Sequence, residues 1–201
     1  MRGRVGPAGP AGPPPGKAVT GKLKVSYGYY GPGCVASDTL GGWKSVSYSY
    51  LSSLPTAPAA LEAALLAGDP PGGVIPTKPE AIFDAIFNLL TAGESQGVVA
   101  PPKLEAALYR VLQQLPGVHF ESATDLAGRT GLGFWMVTEG YLKREIVIDP
   151  VTYAPLGYKD VAIKDRTMAG LAGTRHIAKG HVLGWEALLG TAIVQRPGQL
   201  P

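Results

Sequence analysis

The sequence is short of side chains that bind metals or form cross-links, with one cysteine and three histidines among 201 residues. A lone Cys34 excludes an internal disulfide and leaves no second thiolate for a metal site. His176 and His181 are five residues apart, which misses the i, i+4 spacing that places two ligands on one helical face. We therefore predict that the protein holds no metal ion and no cofactor.

The sequence also lacks long apolar runs and known catalytic motifs. No apolar segment approaches the roughly 18 residues that a membrane-spanning helix needs, and no hydrophobic segment follows the basic start to make a signal peptide. Ser52-Ser53 lacks the glycines of a nucleophile elbow, and the glycines between Gly128 and Gly133 do not precede a predicted helix. We expect no enzymatic activity; a hydrolase of unrecognised geometry is the alternative.

Charged residues make up only 16% of the chain, and the basic ones are unevenly placed. Five of the 18 lysines and arginines precede Asp38, the first acid, so the rest of the chain carries slightly more acidic than basic side chains. The positive excess belongs to the N-terminal segment, and the body has no basic patch that predicts nucleic-acid binding.

Glycine and proline are in excess, with 28 and 19 copies. Gly3, Gly6, Gly9 and Gly12 recur at every third position, but this run is too short for a collagen-like triple helix. We predict a disordered, basic Gly/Pro-rich tail over residues 1–21 and a single domain over residues 22–201.

The clearest structural signals lie in residues 101–164, which begin with a helix. Pro102 suits its first turn and Pro116-Gly117 ends it. Its apolar residues share one helical face: Leu104, Ala107, Leu108, Val111, Leu112 and Leu115. Two more helices are predicted upstream, one capped by Thr56 and one by Thr77, which forms a capping box with Glu80.

After this helix the apolar period changes to two, which is typical of strands. Phe120 is predicted to point inward and His119 outward. A strand over residues 132–138 has apolar residues on both faces, as a central strand does. Strands follow over residues 142–148 and 156–163, and because the turns between them are short, we predict an antiparallel meander.

Two features complete the predicted sheet. The strand over residues 156–163 changes its apolar face between Tyr158 and Val161, which predicts a β-bulge. A last strand over residues 182–189 contains Trp185 and resumes near residues 193–194 after a glycine.

Three segments give weaker patterns. Residues 23–29 and 46–50 alternate tyrosine or aliphatic side chains with small or basic ones, which predicts two half-buried strands. A stacking face for carbohydrate or nucleic acid is the alternative for these tyrosines. Residues 164–180 have no clear period and predict a loop that is mobile or functional, such as a lid.

Together these elements predict an α+β fold. We expect an antiparallel, curved sheet of about five to seven strands, covered on one face by about three helices.

Several turn motifs and the apolar face of one helix resemble those of a family of uncharacterised actinobacterial proteins. Members of this family are often encoded beside extracytoplasmic-function sigma factors. The resemblance covers residues 47–198 and rests on structural motifs rather than on catalytic ones. These motifs are Leu54-Pro55-Thr56 with Pro58, the run from Ala107 to Leu112 with Leu115-Pro116-Gly117-Val118, Asp125 with Ala127-Gly128-Arg129, Asp149-Pro150 with Thr152, Leu156-Gly157, and Gly184-Trp185. Tyr153 departs from the pattern, since the family has glycine there.

The resemblance implies an extracytoplasmic domain anchored by one membrane helix. Members carry a cytoplasmic segment and that helix in front of the domain, whereas here the Gly/Pro-rich tail takes their place. We therefore expect a truncated or mis-started version of such a protein. The sheet pattern also distantly resembles bacterial half-barrels of the LolA and RseB type, which hold lipids or sense envelope stress.

These observations favour a non-enzymatic extracytoplasmic binding or sensing domain for an apolar or lipid ligand. The predicted wall residues of its groove are Phe120, Phe134, Met136 and Trp185, although each of them also fits an ordinary core. The alternative is a regulatory module that docks an envelope or regulatory protein through the tyrosine-rich strands or an exposed sheet edge.

Overall fold

The computed structural model of the protein describes residues 48–67, 77–95, 100–170 and 173–190. The predicted tail, the predicted strand over 23–29, Cys34 and the residues near 193–194 lie outside these ranges. In the described ranges the helices are α1 (Tyr48–Ser53), α2 (Pro58–Ala67), α3 (Lys78–Ser95) and α4 (Pro102–Gln114). The strands are β1 (His119–Thr124), β2 (Thr130–Thr138), β3 (Leu142–Ile148), β4 (Pro155–Ala162), β5 (Arg166–Gly170), β6 (Gly173–Ile177) and β7 (Val182–Ala187).

Helix α3 begins, and helix α4 begins and ends, where local chemistry predicts, whereas α3 continues past Gly93, which was expected to end it, to Ser95. Thr77 and Glu80 form the capping box: the Glu80 carboxylate accepts from the Thr77 amide at 2.8 Å, and the Glu80 amide donates to the Thr77 hydroxyl at 3.4 Å. Helix α4 has proline in its first turn, and the Leu115 amide closes its end by donating to the Leu112 carbonyl at 3.3 Å. Gly117 takes a φ of 87°, a conformation that favours glycine, and turns the chain into β1.

The strands form the predicted antiparallel meander. One sheet has five strands in the order β1-β2-β3-β4-β7, and β5 pairs with β6 in a separate two-stranded sheet. The register of β4 against β7 shifts between Asp160 and Val161, within the window where a bulge was predicted, but the unpaired residue is Leu183 of β7 rather than a residue of β4. The mixed α+β fold with an antiparallel sheet is therefore confirmed.

The main core lies between the helices and one face of the five-stranded sheet. Helix α3 contacts β2 and β4, and α2 packs against α3 and α4. Among the largest fully buried side chains are Leu61, Phe83, Ile86, Leu108, Phe134 and Ile146. We call the opposite face of the sheet, which points away from the helices, the outer face. In the described part of the chain, no helix combines the length and the apolar character that crossing a membrane requires.

The prediction of a strand over residues 46–50 was wrong for the part that the structure describes. Tyr48–Ser53 is helix α1, and the Ser53 hydroxyl donates to the Tyr50 carbonyl at 2.7 Å. Leu51 and Leu54, three residues apart, are both buried in the main core. The segment is helical although tyrosine and serine alternate in it. Burial of the two leucines stabilises the helix more than a short alternating pattern would stabilise a strand.

The prediction of a loop over residues 164–180 was also wrong, because this segment contains the β5–β6 hairpin. The hairpin exposes most of β6, and only its last residue, Ile177, is buried. Ile177 packs in a small second core with Tyr141, Leu142 and Ala162. A two-stranded ribbon with solvent on both sides has no apolar face, so its sequence shows no period.

Candidate functional site

Strand β1 lies at one end of the five-stranded sheet, and no other described strand pairs with its free side. Its residues from His119 to Ser122 are all exposed. Its register with β2 runs without a shift from His119 opposite Trp135 to Thr124 opposite Thr130. An edge strand presents unpaired N–H and C=O groups with which another extended chain can pair. The regular and exposed strand β1 is therefore a template for strand addition.

Phe120 adds an exposed aromatic ring to this edge. It lies on the helix-covered face of the sheet, as predicted, yet 47% of its surface is exposed. Its ring packs edge-to-face on Phe134, with centroids 5.0 Å apart, and Phe134 stacks on Tyr109 at 5.9 Å. The three rings lead from the interior of the core to the free side of β1. Phe120 is thus an apolar contact point held in place by buried neighbours.

On the outer face, the register aligns one side chain from each strand of the sheet in a single row. Residues that lie directly opposite each other in antiparallel strands point to the same face. The row runs from β1 to β7 through His119, Trp135, Glu145, Lys159 and Trp185. The His119 ring stacks on the Trp135 indole at 4.2 Å, and the Lys159 ammonium lies 5.1 Å from the Trp185 ring centroid. We call these five residues the outer-face row.

Lys143 joins two carboxylates beside this row. Its ammonium pairs with Glu121 from β1, lies 3.3 Å from Oε1 of Glu145, and sits 4.6 Å from the Trp135 ring centroid. The hydrogen bond from Lys143 lowers the pKa of Glu121, whereas burial raises the pKa of Glu145. Oε1 of Glu145 is shielded from solvent and receives no hydrogen bond of good geometry from any residue the structure describes. Of the two carboxyl groups, Glu121 is therefore the one that keeps its charge to lower pH.

Two carboxyl groups with separated pKa values are the usual basis of acid–base catalysis. Here, however, Glu121 and Glu145 both contact one ammonium group, and Glu145 is buried at 8% exposure. Glycosidases hold their two carboxyl groups at least about 5 Å apart so that a substrate fits between them. The pair around Lys143 is instead a contact within the protein, which fixes β1 against β3.

A second cluster of charged side chains lies between α3 and the sheet, and its members pair with one another. Arg144 on β3 donates to Asp84 of α3 at 2.9 Å and to Asp160 of β4 at 3.3 Å, and its guanidinium lies 4.5 Å from the Phe87 ring centroid. Burial raises the pKa of both carboxyl groups, although Arg144 partly offsets the rise. This cluster anchors the helix to the sheet.

The structure does not bring the four predicted groove residues around one cavity. Phe134 and Met136 are 1% and 3% exposed and belong to the main core, so their side chains are covered by neighbours. Phe120 reaches the surface at the edge of the same face. Trp185 lies on the outer face, on the other side of the sheet.

A shallow depression with room for about one water molecule lies elsewhere, where α3 meets β4 and β7. It is open to solvent and includes none of the predicted groove residues. Its lining is formed by Leu90, Thr91, Pro155, Gly157, Tyr158, Glu186 and Leu188.

The histidines are spread over separate elements. His119 stacks on Trp135, His176 of β6 contacts the Thr167 hydroxyl at 3.0 Å, and the His181 amide donates to the Ala178 carbonyl. Within the ranges that the structure covers, no three histidine, cysteine or acidic side chains come together in a geometry that could hold a metal ion.

Comparison of the chain with protein-family models, with curated proteins and with solved structures found no match. The resemblance stated above, and the location and anchor that it implies, stay predictions.

Sequence reasoning placed Phe120 and His119 on the correct faces, but it grouped Trp185 with residues of the opposite face and missed both the outer-face row and the free side of β1. The outer-face row depends on register, which alternation within a single strand does not give. One signal for the free side of β1 was available in the sequence: Phe120 is its only large apolar residue, whereas β2 has large apolar residues on both faces, as a central strand does.

Proposed function

We propose that this domain is a non-catalytic binding module that takes up an extended segment of a protein partner along β1. The single observation that carries this proposal is the exposed Phe120 beside the free side of a regular strand. Backbone pairing supplies affinity in such complexes, and pockets or rings at alternate positions supply specificity.

The geometry of β1 defines what the bound segment must look like. An added strand places alternate side chains on the two faces of the sheet. On the helix-covered face one of them meets the Phe120 ring, so an apolar residue is favoured there. On the outer face its neighbours contact His119 and Glu121, which carry the polar and charged groups of the edge. The expected ligand is a segment with period-two alternation.

Strand β1 itself lacks several of the features that protect an edge strand, which supports this role. Soluble proteins block edge strands with lysine, proline, bulges or short length. Strand β1 contains no lysine and no proline over its six residues, and its pairing with β2 has no bulge. The other described edge, β7, pairs through a register shift and is partly buried at every residue except Glu186. The two edges are therefore not equivalent, and β1 is the one suited to pairing.

An apolar or lipid ligand is the weaker hypothesis. A carrier needs a cavity whose walls are free to contact the ligand. Phe134 and Met136, two of the four predicted wall residues, are nearly fully buried by other side chains. The site at β1 requires no rearrangement of this core.

The test is a display selection of random peptides of about ten residues, somewhat longer than a typical strand, on the full 201-residue chain. We expect selected peptides to show alternating apolar residues and to shift the NMR amide signals of β1. Their binding is expected to weaken by about tenfold or more in Phe120→Lys, because the aromatic anchor is lost.

Val151→Lys is the matched control, since Val151 is an exposed apolar residue in a turn, at 82% exposure, away from β1. The proposal fails if no selected peptide distinguishes Phe120→Lys from Val151→Lys. It fails equally if the amide shifts appear at β7 instead of β1.

A further inference from the structure

Resting on the proposed function, we propose that the segment bound along β1 is strand β1 of a second copy of this chain. The two strands would run antiparallel about a twofold axis that passes beside Phe120. An interface of this kind uses the same surface on both copies, so every contact has to be self-complementary. The sequence of β1 meets that condition.

The alternation of side chains limits the registers that two β1 strands can adopt. Residues opposite each other must point to the same face, so Phe120 has to lie opposite a residue on the helix-covered face. An axis beside Phe120 sets the two Phe120 rings opposite each other and joins the two exposed apolar patches. Each ring keeps its edge-to-face contact with its own Phe134.

The same register pairs a histidine with a glutamate on the outer face, so that an imidazole N–H can donate to a carboxylate across the axis. With Phe120 at the centre, His119 of one copy lies opposite Glu121 of the second copy, and the reverse pair forms on the other side of the axis. Cross-strand pairs of opposite charge stabilise a sheet, and like charges directly opposite destabilise it. The side chain of Glu121 remains 45% exposed while it pairs with Lys143, so it is accessible to a histidine across the axis.

The neighbouring register is less favourable. An axis beside Glu121 would set the two Glu121 carboxylates opposite each other and each Phe120 opposite a serine. Of these two registers, the order His119-Phe120-Glu121 favours the one in which an apolar pair lies between two histidine–glutamate pairs.

The expected dimer is weak and depends on concentration. A single pair of short strands buries less surface than a standard stable interface, so we expect a dissociation constant on the order of 1–100 µM. Sedimentation equilibrium of the full chain up to about 0.5 mM measures it. Phe120→Lys is expected to raise the dissociation constant by about tenfold or more, since two ammonium groups then face each other across the axis. Val151→Lys is expected to leave it unchanged.

Substitutions at His119 and Glu121, which lie on the outer face and not in the core, test the proposed register. His119→Glu places carboxylates opposite Glu121, and Glu121→Lys replaces the carboxylate that accepts from His119, so each variant alone is expected to dimerise about tenfold less tightly or worse. A mixture of the two variants restores one carboxylate–ammonium pair and one original pair. The mixed dimer is therefore expected to form more tightly than either variant alone, as measured with one variant carrying a mass label.

The outcomes separate this inference from the proposed function. A wild-type chain that stays monomeric up to about 0.5 mM overturns the dimer, whereas peptide binding at β1 is measured independently of it. A dimer that is unaffected by Phe120→Lys, His119→Glu and Glu121→Lys alike lies elsewhere on the protein and also overturns the inference. Thermal unfolding of each variant confirms that loss of the dimer is not loss of the fold.

Discussion

The Arg144 guanidinium on β3 donates to the Asp84 carboxylate on α3 at 2.9 Å, which links a central strand to the longest described helix. The same guanidinium pairs with Asp160 on β4, and the side chains of all three residues are mostly buried. Removing the single cation leaves two buried carboxylates without a partner, whereas removing one carboxylate leaves an ion pair intact. Arg144 is therefore the critical member of the cluster.

We predict that Arg144→Met lowers the free energy of unfolding by about 3 kcal/mol and Asp84→Asn by about 1–2 kcal/mol, since neither group is fully buried. Urea unfolding at neutral pH measures both. Glu62→Gln on α2 changes a helical carboxylate outside the cluster and is expected to stay within about 0.5 kcal/mol of wild type. An Asp84→Asn variant that is less stable than Arg144→Met would contradict the central role of Arg144.

Arg129 links the turn between β1 and β2 to strand β4 and to the residue that follows β7. Its guanidinium pairs with Asp125 at 2.6 Å and donates to the carbonyls of Leu156 at 2.9 Å and Leu188 at 2.6 Å. A lysine ammonium cannot reproduce this planar set of contacts. We predict that Arg129→Lys costs about 1–3 kcal/mol in the free energy of unfolding because carbonyl partners are left unsatisfied.

Arg110→Lys is the control for this substitution, since Arg110 lies exposed on α4. Chemical unfolding of the two variants under the same conditions compares them. Equal stabilities would show that Arg129 contributes only its charge.

Because of Glu145, the free energy of unfolding is expected to fall as the pH rises. Burial raises its pKa in the folded protein above the ordinary value of 4.5. A group of this kind contributes its full stability below the ordinary pKa, and the contribution is lost as the pH rises through the raised folded pKa. The stability of wild type relative to Glu145→Gln should therefore be greatest below pH 4.5 and should decline above it.

The measurement is the free energy of unfolding of both proteins by urea across this pH range. The difference between them isolates Glu145, because Asp84 and Asp160, whose pKa values are also raised, are present in both. A difference that grows with pH would mean that the contact with Lys143 outweighs burial. The Glu62→Gln variant, measured in parallel, is expected to show no such slope.

Gly157 is the position where a side chain is least tolerated in the pairing of β4 with β7. A Cβ there would lie 2.1 Å from the Glu186 carbonyl oxygen, and its φ of 151° is one that other residues rarely adopt. We predict that Gly157→Ala costs about 3 kcal/mol or more in the free energy of unfolding. Thermal unfolding and amide exchange of β7 measure the effect.

Gly190→Ala is the matched control, because the space around Gly190 is open. It is expected to change the free energy of unfolding by less than about 0.5 kcal/mol. Similar costs for the two variants would mean that β4 and β7 separate readily to admit a methyl group.

The sequence by itself determined the elements whose signals are local. The apolar face of α4, the Thr77–Glu80 capping box and the alternation of β2 and β3 were all predicted, because helix periodicity, capping and the pleat act within a few residues. A register shift near Asp160 was also predicted, but its assignment to β7 rather than β4 depends on the pairing of the two strands.

Only the tertiary structure decided the features that depend on distant neighbours. Helix α1 forms because Leu51 and Leu54 reach the core, and the β5–β6 hairpin shows no period because most of its surface is exposed. The outer-face row and the free side of β1 arise from strand order and register, which are set by contacts between segments far apart in the chain. Phe120 was correctly assigned to the inner face. It remains exposed because β1 is the last described strand of the sheet, a fact that alternation within one strand does not contain.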